Sequence, residues 1–105
     1  MRAVNGASTK LMRAIQRALP ELPIIFEHVQ SREWASGLFV GMRHEIAFKL
    51  SGPNAGDAAD LFASGLVERE FDLHGHILAD ITCVSIETTS TYARLSIEAL
   101  TVDED

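Results

Sequence analysis

Leu38-Phe39-Val40-Gly41-Met42-Arg43-His44-Glu45-Ile46-Ala47-Phe48-Lys49-Leu50 is the stretch that decides the fold. Successive side chains of a strand point to opposite faces, so residues two apart share a side. Leu38, Val40, Met42, Ile46, Phe48 and Leu50 fall on one side, with His44 the single polar interruption. Gly41, Arg43, Glu45 and Lys49 fall on the other. Such alternation describes a long strand with one face in a core and one in water, as in an antiparallel sheet covered on one side. Extended, the stretch would span about 40 Å, whereas a chain of 105 residues folds to a radius of gyration of about 13 Å. The strand therefore bends, or its Leu38–Met42 end projects as an arm that exposes Trp34, Leu38 and Phe39. Exposed apolar surface of that kind marks partner sites.

Downstream, Ser51-Gly52-Pro53-Asn54-Ala55-Gly56 breaks the strand. A helix is predicted over Asp57–Val67, with Ala58, Leu61, Phe62, Gly65 and Leu66 at one-sided spacing. Asp57 and Asp60 would occupy its first turn, where the helix dipole favours acids. After the polar turn His74-Gly75-His76, in which Gly75 permits a positive φ, a strand is predicted over Ile77–Glu87. Its parity switches between Ile77/Ile81 and Val84/Ile86, which calls for a bulge near Thr82–Cys83. Thr88–Thr91 turns the chain without a glycine. In the last strand Ala93, Leu95, Ile97 and Ala99 face the core, and Arg94, Ser96 and Glu98 face out.

Upstream, Ser8 is the expected N-cap of a first helix reaching about Ala18, with an apolar stripe of Leu11, Met12, Ile15 and Leu19. Lys10, Arg13 and Arg17 share another face of that helix. Pro20 and Pro23 end it. Ile24–Val29 reads as a short strand, and Gln30–Gly37, polar apart from Trp34, as a loop or broad hairpin turn. The expected architecture is α+β, a single domain over 1–105 in the order α-β-β-α-β-β. Its sheet is mainly antiparallel, with both helices on one face.

With 47% hydrophobic residues, the chain can bury roughly 60–70% of its unfolded surface without staples. No apolar run approaches a membrane span, the start Met1-Arg2-Ala3-Val4-Asn5-Gly6 lacks a signal-peptide core, and the lone Cys83 forbids an internal disulfide. A cytoplasmic setting is expected. Net charge is −6 but polarised. Arg2, Lys10, Arg13 and Arg17 stand in the first twenty residues without an acid, and the rest holds five bases against fifteen acids. That balance argues against general nucleic-acid binding, whose affinity comes from phosphate neutralisation. It suits contacts between copies, a basic end against an acidic flank.

Catalytic chemistry finds little support. His74 and His76 could face one ion, but zinc needs three or four ligands, and His28 and His44 are the only other imidazoles. His44 on an apolar face reads as a hydrogen-bonded core histidine, and Cys83 as a buried inert thiol. No nucleophile elbow, phosphate loop or dinucleotide fingerprint is present. The expectation is no enzyme activity, no metal, no cofactor and no small-molecule substrate.

Several pieces occur in a particular order: Gly41-Met42-Arg43-His44-Glu45-Ile46-Ala47-Phe48, Gly56-Asp57-Ala58-Ala59-Asp60, Leu73-His74-Gly75-His76-Ile77-Leu78, and Arg94-Leu95-Ser96-Ile97-Glu98-Ala99-Leu100-Thr101. Over about residues 34–102 this order resembles the tail-terminator, or tail-completion, proteins of long-tailed phages and gene transfer agents. The resemblance implies a structural protein of virion assembly, a hexameric ring that closes the tail tube and meets the head-completion protein. DNA would be passing cargo. The protein would be cytoplasmic during assembly and then part of a phage-like particle. Self-association is expected through Trp34, Leu38 and Phe39, with Lys10, Arg13 and Arg17 on the rim opposite acids such as Glu68, Glu70 or Asp72. The alternative is a small acidic dimeric chaperone or adaptor that binds a protein client in an apolar groove. A third reading, an enzyme or ligand-binding protein, would need a closed pocket around His44, His74 and His76.

Overall fold

The computed structural model describes residues 6–104; the expectations for Arg2 and the other N-terminal residues, and for the acidic end at Asp105, lie outside them. Helix α1 covers Ala7–Ala18, strands β1 and β2 cover Ile24–Ser36 and Phe39–Ser51, α2 covers Ala55–Ser64, and β3 and β4 cover His76–Thr88 and Tyr92–Asp103. The four strands form one sheet in the order β1-β2-β4-β3, every neighbouring pair antiparallel. β1–β2 and β3–β4 are hairpins. α2 carries the chain from β2 over β4 to β3, a split β-α-β unit.

The α+β expectation and the element order are those observed, and the alternation of the opening stretch locates the core. His44, Ile46, Phe48 and Leu50 of β2 are buried with Ala93, Leu95, Ile97 and Ala99 of β4. Leu11, Ala14 and Ile15 of α1 and Ala55, Ala59 and Phe62 of α2 close over them in one cluster. Phe48 is its pivot: its ring lies 5.8 Å from Phe26 of β1 and 6.0 Å, edge-on, from Phe62 of α2. Edge-on aromatic pairs favour this separation because the positive ring edge meets the negative face.

Several local expectations are corrected. Gly6, not Ser8, is the N-cap of α1, without a side-chain cap hydrogen bond. α2 starts at Ala55, so Asp57 alone lies in its first turn. Its buried stripe is Ala55, Ala59 and Phe62, continued by Leu66 in the turn after it, while Leu61 is turned to solvent. β3 carries two register shifts rather than one, around Ala79 and around Val84. Between them Ile81 and Cys83 face the core, and Cys83 is half-buried rather than buried.

The largest correction is β1, which continues through the expected loop to Ser36 and pairs with β2 down to Ser36↔Phe39. Gly37 and Leu38 alone make the turn, with Gly37 at φ 60 and no positive φ at Leu38. A glycine in that position suits a two-residue turn whose twist matches the strands. β4 follows β2 as far as Gly41↔Val102, so the arm is only the hairpin tip at 35–40. Val40, expected in the core, is exposed there because the strand outruns the helices. The long axis of the molecule is 46 Å.

Candidate interaction surface

Beyond the apolar core, the helix-facing side of the sheet holds a polar relay across three strands. Ser31 of β1 donates to Nδ1 of His44 on β2 (2.8 Å), and Nε2 of His44 donates to Oγ1 of Thr101 on β4 (2.9 Å). The Thr101 hydroxyl donates in turn to the Met42 carbonyl (3.4 Å). Since that hydroxyl spends its proton on Met42, its oxygen must accept from Nε2, which leaves Nδ1 to accept from Ser31. The relay thus assigns one neutral tautomer to a fully buried imidazole. Burial, and secondarily the nearby His76, holds the His44 pKa down to about 4. Both ring nitrogens are engaged, so His44 offers no lone pair to a ligand.

His76 opens β3 and lies 3.2 Å from Asp103. His74 precedes the strand in the turn where Gly75 takes φ 85, and its carbonyl accepts from the Lys10 ammonium. The two imidazoles belong to different local structures, and among the described residues no three His, Cys, Asp or Glu side chains form a metal-ligand group. Burial pushes the Cys83 thiol up, and its sulfur lies 3.5 Å from the Ser85 carbonyl.

Among the described residues, both helices pack on one side of the sheet, and the opposite face carries none. Register places its side chains in rows across all four strands. One row is Trp34, Gly41, Val102 and Ile77, and the next is Arg32, Arg43, Leu100 and Asp80. Toward the other end, Arg94 grips Glu27 through two nitrogens (2.9 and 3.3 Å) and stacks over Tyr92. That pairing holds the Glu27 carboxyl below its ordinary range. Arg32 and Arg43 are direct cross-strand partners of like charge, an unfavourable arrangement. Neither has an ion-pair partner among the described residues.

The expected interface residues are brought together only in part. Leu38 is 97% exposed and Phe39 60%, both at the hairpin tip. Trp34 is half-buried: its indole N–H donates to the Thr101 carbonyl (3.2 Å), which ties the base of the tip to β4. Arg13 and Arg17 are exposed on α1, while Lys10 is occupied at the His74 carbonyl. A second surface was missed by sequence reasoning. An open groove runs between α2 and the free edge of β3, lined by Ala63, Leu66, Val67, Ile81, Val84 and Ile86 with Asp60 on its rim. Val67 in its wall is 84% exposed, and Leu61 beside it 72%. The signal for it was the parity switch in β3: two one-residue register shifts, at Ala79 and Val84, bring Ile81, Cys83 and Ile86 to the same helix-facing side of an edge strand.

No family model, curated protein or solved structure matches the chain. No helix among the described residues is long and apolar enough to cross a membrane.

Proposed function

We propose that this chain is a structural assembly protein of tail-terminator type. It forms a ring that closes the tail tube of a phage-like particle and joins it to the head-completion protein. The observation that carries this reading is the hairpin tip. Leu38, Phe39 and Val40 are exposed apolar residues on a two-stranded projection, beside a sheet face that no helix among the described residues covers. A lone domain gains nothing from such a projection, whereas a contact between copies buries it. Charge fits the same role. α1 exposes Arg13 and Arg17, whereas 57–72 holds five acids against the single base Arg69. An acidic wall around a channel repels passing DNA instead of trapping it.

The apolar groove beside α2 favours a second reading, the dimeric chaperone or adaptor, for which the groove would hold a client segment. Native mass spectrometry with negative-stain electron microscopy separates the two. Closed rings with a central hole are the expected result. A two-fold dimer that takes up an apolar peptide favours the adaptor, and a monomer at every concentration overturns both.

A further inference from the structure

We propose that the groove between α2 and β3 is the acceptor for the hairpin tip of a second copy. The inference rests on the self-association of the preceding reading and names its two halves. On the donor side, Leu38 and Phe39 crown the tip, and the unpaired Arg32 and Arg43 lie further down the hairpin on the face that Phe39 shares, Val40 pointing to the other. On the acceptor side, Val67, Val84 and Ile86 present exposed apolar surface along the groove and Asp60 lines it, while Leu61 and Asp57 stand beside it on the adjoining surface of α2, which carries no base.

The dimensions agree. Arg43 stands about 17 Å along the strand from Leu38 at ~3.3 Å per residue. On the acceptor, α2 runs about 10 Å from Asp57 to its last residue Ser64 at ~1.5 Å per residue, and Gly65, Leu66 and Val67 carry the chain on from there. With the tip at the Val67 end of the groove, the arginine pair falls beside Asp57 and Asp60. Two like charges that repel each other in the free chain would then each meet an acid.

Side chains rather than backbone pairing carry this contact. The free edge of β3 would accept another strand, but its register shifts at Ala79 and Val84 interrupt the hydrogen-bonding edge. Bulged edges resist addition of a strand. What remains for a partner is the groove beside that edge.

The test is sedimentation velocity on the full chain with Leu38→Asp and Val67→Asp, alone and mixed. Both residues are exposed, so circular dichroism and melting should match the wild type; Leu38→Ser and Val67→Ser serve if either aspartate variant fails to fold. Each single variant is expected to weaken self-association about thirtyfold, the effect of losing an interface anchor. Their equimolar mixture should form a one-to-one complex, since it keeps one intact tip and one intact groove. Single variants that associate as the wild type does, or a mixture that stays monomeric, overturn the tip-in-groove contact and leave the ring reading standing. A wild-type complex of two copies that obeys the mixing rule keeps the contact and removes the ring. A wild type that stays monomeric at millimolar concentration overturns both.

Discussion

Trp34 on β1 donates its indole N–H to the main-chain carbonyl of Thr101 on β4, reaching across the bare backbone of Gly41 on the strand between them. A Cβ at Gly41 would stand 1.9 Å from that carbonyl oxygen and 3.0 Å from Trp34 Nε1. The same threonine accepts from His44 through its hydroxyl on the other face. Thr101 therefore ties both sides of the sheet at the base of the hairpin tip, and Gly41 leaves the space.

Gly41→Ala should destabilise the protein by about 2 kcal/mol or more, because the clash is with backbone and overpacked sites relax poorly. Trp34 is the only tryptophan, so its emission should shift to the red as the indole loses its seat. Urea unfolding followed by fluorescence measures both. A variant with wild-type stability and emission would show that the Trp34–Thr101 bond does not hold the tip.

Stability should fall as pH drops from about 6.5 toward 4. His44 is neutral in the fold with its pKa lowered to about 4, whereas the unfolded chain binds the proton near 6.5. Between those values the unfolded state holds more protons, so stability is complete above the upper value and declines below it, by about 3 kcal/mol in all. Protonating His44 adds a donor at Nδ1, where Ser31 now donates. Urea midpoints from pH 7 to 4.5 check this. Glu27, depressed by Arg94, is lost only below its unfolded value near 4.5, so it does not blur that window. A flat profile across that window would remove the buried neutral imidazole.

Phe62→Ala should cost about 3–5 kcal/mol, the usual loss for a buried aromatic ring. Leu61→Ala, one residue away, should stay within about 0.5 kcal/mol of wild type in the monomer. Thermal melts of the two variants report the rotation of α2 directly. Equal losses would mean that Leu61 faces the core after all.

Gly37→Ala should cost about 1 kcal/mol, the penalty for placing a side chain at φ 60. Nothing lies within 4 Å of the added carbon, so the loss is backbone strain alone. Faster hydrogen exchange confined to 34–41, with the core amides unchanged, is the expected signature. An effect spread through β3 would contradict it.

The sequence by itself determined what is periodic. Ile46, Phe48 and Leu50 with Leu95, Ile97 and Ala99 located the core face, because a strand buried on one side must alternate. His44 on that face could be read as a satisfied core histidine, and Gly75 as the positive-φ turn residue. The second half of β1 could not be read. Arg32, Glu33, Ala35 and Ser36 carry no apolar period, since they are exposed and their pairing with β2 is made by backbone, and Ser31 meets His44 through a hydroxyl rather than an apolar side chain. The rotation of α2 was hidden for another reason. Its alanines and leucines satisfy two adjacent stripes, and only contact with Phe48 selects Phe62 over Leu61. The groove, the bond from Trp34 to Thr101 and the unpaired Arg32–Arg43 couple each join residues from separate strands or helices. Only tertiary structure brings such residues together, because register and bulges set which side chains meet, and neither is written in local spacing.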